Sequence, residues 1–183
     1  MNVIETALPG VLLVEPKVFG DDRGFFMETW NAERYREAGL PSRFVQDNLS
    51  FSQHGVLRGL HFQNPDQQGK LVYVLQGEVF DVAVDIRVGS PHFGEWTGAT
   101  LSAENKRQLY VPEGFAHGFL VTSEAALFVY KCTARYNAEA EAGILYNDPE
   151  IGIQWPTDAP TLSEKDRNVP LLSEISEEKL PGY

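Results

Sequence analysis

Short apolar or alternating runs succeed one another between Gly, Pro and Asp punctuation for most of this chain, and that rhythm leaves room for little but an all-β sandwich or barrel. Val11–Glu15, Phe25–Thr29, Phe44–Ser50, Leu57–Phe62, Leu71–Leu75, Val79–Arg87, Thr97–Leu101, Gln108–Val111, Gly118–Val121 and Ala126–Tyr136 all read as strands. Gln76-Gly77-Glu78 separates two of them at hairpin distance. One segment reads as helix, with Asn31 as N-cap, Ala32–Ala38 as its body and Gly39 as its stop before Pro41. Strands of this length and spacing predict a mainly β fold, a jelly-roll β-barrel with a few short helices. Neither a repeat nor a low-complexity tract divides the chain, so residues 1–183 form one predicted domain. From about residue 156 the pattern weakens, and Pro156, Pro160, Pro170 and Pro181 punctuate a tail expected to wrap the surface.

Charge and composition narrow the partners. With 43% apolar and 11% aromatic residues the chain is globular, and its net charge of −11 argues against nucleic acid or an anionic membrane as partner. An anionic small molecule is still admissible, because a pocket can gather Arg and Lys locally. The single cysteine, Cys132, rules out an internal disulfide and fits a reducing compartment. The opening MNVIETALPGVLLVEP has no cationic region before its apolar run, unlike a signal peptide, and nothing approaches the roughly 20 apolar residues of a membrane helix. A soluble cytoplasmic protein is the expectation.

Chemistry gathers around two histidines. GVLRGLHFQ (Gly55–Gln63) and PEGFAHGF (Pro112–Phe119) each place a histidine in a strand-like run beside glycines. The spacing matches the two half-motifs of cupin barrels, G-x5-H-x-H-x3,4-E and G-x5-P-x-G-x2-H-x3-N, but only in part. Gln63 stands where the second histidine would, Gln67 and Gln68 where the glutamate would, Lys106 where the second glycine would and Val121 where the asparagine would. A cupin-type jelly-roll barrel is therefore expected, with its metal set lost, since two histidines and a neutral amide make a poor metal site.

Without a metal, an enclosed imidazole suits general-base work, because its reference pKa of roughly 6.5 lies near working pH. Such a base needs a carboxylate to hold its tautomer. Asp81, on one face of FDVAVDIR with Asp85, is one candidate; Asp166 in LSEKDR is the other. Ser163-x-x-Asp166 also resembles a capping box opening a short helix, and the residues alone leave the choice open. Arg23 sits in the turn-like GDDRG, Lys70 opens LVYVL, and Arg58 lies three residues before His61. Strict alternation puts Arg58 on the opposite face from His61 unless a bulge at Gly59 resets the phase. Tyr130 and Tyr136, six residues apart, share a face if their strand is regular, as proton donors or as anchored core residues.

These residues, with DDRGFFMETWN, FVQDNLSFS, QGKLVYVLQGEVFDVAVDIR, LYVPEGFAHGF, VYKCTARY and LSEKDR, resemble the dTDP-4-dehydrorhamnose 3,5-epimerase family from about Ile4 to about Arg167. The resemblance implies a homodimeric cupin with neither metal nor cofactor, inverting C3 and C5 of a dTDP-linked 4-keto-6-deoxy sugar. It implies His61 as base, Asp166 as its partner, Tyr130 as acid and Lys70 as stabiliser of the enolate oxygen. By the same resemblance, Arg23, Glu28, Gln46, Asn48, Arg58, His117, Glu141 and Lys165 contact nucleotide or phosphate, and Tyr136 lines the pocket. Arg23 and Glu28 are expected to reach the partner subunit's site. Two alternatives stand beside this reading: an epimerase acting at C3 or C5 alone on a related dTDP-ketosugar, and a cupin that binds or ketoisomerises a nucleotide sugar.

Overall fold

The structure, a computed structural model, describes residues 1–183. Its strands are β1 (Asn2–Glu5), β2 (Leu12–Glu15), β3 (Val18–Asp21), β4 (Gly24–Met27), β5 (Gln46–Gln53), β6 (Leu57–Gln63), β7 (Lys70–Gln76), β8 (Glu78–Asp85), β9 (Trp96–Ser102), β10 (Gln108–Val111), β11 (Phe115–Val121), β12 (Ala125–Cys132) and β13 (Glu141–Gly143). Six of them form one sheet in the order β1-β2-β10-β7-β12-β5, five form a second in the order β13-β6-β11-β8-β9, and β3 and β4 stand apart as a hairpin. Alternation sends Val72 and Val74 of β7, Ala126 and Phe128 of β12, Val79 and Ala83 of β8, and Phe119 and Val121 of β11 into one shared core between the sheets. Each such side chain contributes roughly 1.5–3 kcal/mol when fully buried. This is the expected mainly β, cupin-type jelly roll.

Both sheets are also covered on their outer faces. Helix α1 (Ala32–Glu37) lies on the six-stranded sheet, where Tyr35 and Leu40 pack with Val14 and Leu71. The Asn31 side chain accepts from the Glu33 and Arg34 amides, and Gly39 ends the helix at φ +86°, as its sequence predicts. On the five-stranded sheet the tail supplies the cover: Ile144, Ile151, Ile153, Leu172 and Leu180 bury Leu60, Phe62, Val82 and Val84. Strand β11 is consequently buried along its whole length, and its sequence reads as a continuous apolar run with one histidine.

Three sequence expectations change. Gln76-Gly77-Glu78 does not close a hairpin; β7 and β8 belong to different sheets, and Gly77, at φ +80°, turns the corner between them. A Cβ on Gly77 would lie 2.0 Å from the Ala125 carbonyl oxygen, so only glycine fits that corner. The run ending at Tyr136 stops pairing at Cys132, so Tyr136 lies beyond the strand. The tail is more ordered than its prolines suggest, with helix α2 (Glu164–Arg167) and 3₁₀ turns at Leu172–Glu174 and Glu177–Lys179. Strands β1, β3 and β13 were absent from the sequence pattern.

Candidate active site

Register places the polar residues of the barrel's interior side by side. On β5 and β12, Asn48 pairs with Tyr130 and Gln46 with Cys132; on β7, Lys70 pairs with Cys132. Across the barrel, β13 pairs Glu141 with Gln63 and Gly143 with His61. These elements surround a cleft of about 220 Å³ whose lining includes Gln46, Asn48, His61, Lys70, Tyr130, Tyr136 and Glu141. Phe62, Gln63 and Gln68 complete it. Gln68, which stands where a cupin's metal-binding carboxylate would, braces the wall by donating to the Ala134 carbonyl at 2.9 Å. Gln63 is fully engaged, donating to the Asp66 and Arg135 carbonyls and accepting from the Asn137 amide.

His61 is bonded to Asp166, Nε2 to Oδ1, at 2.6 Å. The histidine is 29% exposed at the cleft and the carboxylate 6%. Burial pushes the Asp166 carboxyl up, but the His61 hydrogen bond and charge, the Ser163 hydroxyl and the Gly59 amide outweigh it and hold the pKa below the ordinary value. The carboxylate is thus ionised at neutral pH and accepts the Nε2 proton, which leaves Nδ1 as the ring atom with a free lone pair. Ser163 caps α2 through the Asp166 amide at 3.0 Å, so capping the helix and bonding His61 are compatible.

The other aspartate has its own histidine. His117 Nε2 lies 2.9 and 3.0 Å from the two oxygens of Asp81, which is fully buried. His117 is 7% exposed and stacks on Phe128, so it backs the cleft rather than opening onto it. The choice left open by the sequence is resolved geometrically: Asp166 serves His61, Asp81 serves His117.

Proton donors and cations complete the electrostatics. Burial pushes the Tyr130 phenol up, keeping it protonated, and pushes the Lys70 ammonium down. Strand β6 shifts register against β11 between the His117–His61 and Phe119–Arg58 pairs, so strict alternation is broken by a bulge around Gly59. Gly59 adopts φ +123°, and a Cβ there would lie 2.6 Å from the Gly118 Cα. The shift turns Arg58 to the His61 side, where it donates to Ser52 at 3.0 Å and its charge lowers the Tyr130 pKa. Tyr136 donates to Glu141 at 2.7 Å, and Glu141 is also paired with Lys165.

Arg23 and Glu28 lie elsewhere. Arg23, 89% exposed on the β3–β4 hairpin, pairs with Asp21, while Glu28 pairs with Arg34. Beside Arg23, Phe19, Phe25 and Phe26 are 53%, 61% and 70% exposed, an apolar patch of the kind that marks an interaction surface.

Comparison with known proteins finds close relatives over nearly the whole chain. The family model described as dTDP-4-dehydrorhamnose 3,5-epimerase matches residues 5–174. A protein of that name from Shigella flexneri is 61% identical over 170 residues, covering 92% of this chain and 94% of its own. A Legionella pneumophila dTDP-6-deoxy-D-glucose-3,5-epimerase, solved in complex with dTDP-4-keto-L-rhamnose, superposes with a TM-score of 0.97 at 56% identity, covering 100% of this chain and 98% of the other. More distantly, a dTDP-4-dehydrorhamnose 3-epimerase from Streptomyces niveus is 40% identical over 186 residues, covering 100% of this chain and 90% of its own.

Proposed function

This chain belongs to the dTDP-4-dehydrorhamnose 3,5-epimerase family, and from that premise we propose how its residues divide the work. The enzyme inverts C3 and C5 of dTDP-4-dehydro-6-deoxy-D-glucose to give dTDP-4-dehydro-L-rhamnose. Both carbons flank the C4 ketone, so one base and one enolate stabiliser serve both steps once the ring shifts between them.

His61 removes the proton α to the ketone through Nδ1. The C–H electron pair becomes the enolate double bond, and the negative charge moves to O4, where the Lys70 ammonium meets it. Tyr130 then gives its phenolic proton to the same carbon from the opposite face, and the ring carbon emerges inverted. The imidazolium proton returns to the phenolate before the second step, so acid and base are both reset. The His61–Asp166 bond of 2.6 Å at the cleft edge is the observation on which this rests: it sets the tautomer and stabilises the imidazolium.

Gln46, Asn48, Arg58 and Tyr136 hold the nucleotide and sugar, with His117 behind them and the Glu141–Lys165 pair at the rim. The enzyme works as a homodimer in the cytoplasm, and each hairpin carries Arg23 and Glu28 to the partner's cleft. The apolar patch beside Arg23 supports that arrangement, as does the fact that neither residue lines the cleft of its own chain. Arg23 would then offset part of the −11 charge at the diphosphate.

Proton NMR of dTDP-4-keto-6-deoxyglucose with EDTA-treated protein in deuterated water tests the function directly. Deuterium is expected at both C3 and C5. Exchange at one carbon would indicate a single-position epimerase, the activity named for the Streptomyces niveus relative; exchange at neither would leave a binding protein.

A further inference from the structure

Asp148 is 2% exposed and gives its carboxylate to three backbone amides: Oδ1 accepts from Glu150 at 2.9 Å and Ile151 at 3.3 Å, and Oδ2 accepts from Leu172 at 2.7 Å. It lies well outside the cleft in sequence and in lining, yet the segment it grips is the one that carries Asp166. That segment is tied down at both ends. Upstream, the Thr161 amide donates to the Gly55 carbonyl at 2.8 Å and the Thr161 carbonyl accepts from Leu57 at 3.0 Å, which fastens the tail to the start of β6. Downstream, the Leu145 amide donates to the Pro170 carbonyl at 2.9 Å, and Leu172 is held by Asp148. Between the two ties, α2 has only four residues, too few to hold a position by its own hydrogen bonds.

We propose that Asp148 is a positioning residue for the epimerisation: by joining Leu172 to the Glu150–Ile151 turn it fixes the far end of the Asp166 segment and keeps that carboxylate on His61. A buried carboxylate is suited to this task because one side chain can accept several amides at once, and an apolar residue there would leave all three without partners. Val169 adds to the same constraint from the side, packed so closely on Gly143 that a Cβ there would meet its Cγ1 at 2.8 Å. The inference rests on the reading of Asp166 as the partner of His61.

A double-mutant cycle separates the two. Asp148→Ala is expected to lower kcat by roughly ten- to a hundredfold with KM little changed, since the displaced group orients the base and does not touch substrate. In an Asp166→Asn background the same substitution should change kcat by less than about twofold, because nothing is left to position. An undiminished loss in that background, or no loss in the native one, overturns the role of Asp148. A native rate for Asp166→Asn alone overturns the dyad and this inference with it. Should the alanine variant not fold, Asp148→Asn, which keeps one acceptor oxygen, is read by the same cycle, and circular dichroism reports that each protein is folded.

Discussion

His61 and His117 are directly opposed across β6 and β11, yet each ring is bonded to a different aspartate drawn from a different part of the chain. Exposure separates their tasks. The side chain of His61 is 29% accessible and its partner lies in the tail; that of His117 is 8% accessible and its partner is sealed in the core. Only the first pair has a ring open to a substrate.

Replacing His61 by alanine is expected to abolish deuterium exchange at C3 and C5 alike, with a loss of at least about 10³-fold. Exchange persisting at one carbon would mean that a second base serves it, and His117 would be the residue to examine next.

Tyr130→Phe separates deprotonation from inversion. Exchange into the substrate should continue while the inverted product falls by roughly 10²–10⁴-fold. An equal loss of both, followed by NMR in the same tube, would deny Tyr130 a dedicated acid role.

Lys70→Met keeps the length and apolar stem and removes the charge. A fall in kcat of roughly 10²–10³-fold is expected if the ammonium meets the enolate oxygen. Burial lowers the Lys70 pKa, so the native enzyme should lose activity on the alkaline side before the ordinary lysine range is reached. The pH–rate profile of the native enzyme checks this, and an activity plateau through that range would contradict it.

Asp166 links activity to acid stability. Its folded-state pKa is depressed, so its contribution to stability is present above the unfolded value of about 3.9 and is lost as pH falls through the folded value. Asp166→Asn should therefore melt below the native protein at pH 6 and approach it as the pH drops below about 4. Thermal melts across that range read the gap directly; a gap that stays constant would show that the charge of Asp166 contributes nothing.

Gly59→Ala tests the bulge. An added Cβ meets backbone at 2.6 and 2.7 Å, and φ is +123°, so neither rotamer change nor side-chain movement relieves it. A loss of roughly 3 kcal/mol or more is expected in denaturant melts, larger than the roughly 1 kcal/mol usual for a point mutation. A near-native midpoint would mean that β6 and β11 can separate there without consequence.

The sequence made the interior strands legible because their period-two pattern is strong: Gln108–Val111 matches residue for residue, and most others within one or two. Strand β13, three residues of Glu-Ala-Gly, carries no such pattern and exists because β6 offers it an edge. The corner at Gly77 reads as a hairpin because a hairpin turn and a sheet-to-sheet turn ask for the same glycine; they differ in whether the flanking strands pair with each other or, as here, with neighbours in different sheets. Arg58 was recoverable from the glycine that follows it. The pairing of Asp166 with His61 was not recoverable from the residues alone, since it spans 105 positions and depends on the path of a proline-rich tail. Tyr136 reached the cleft by a route the pattern did not suggest, from a turn beyond the strand.

That tail has a consequence for when the enzyme becomes one. Every strand of both sheets is complete by Gly143, whereas Asp166 follows much later. During synthesis the strands can therefore pair while His61 still lacks its carboxylate, which comes only with the segment that follows them.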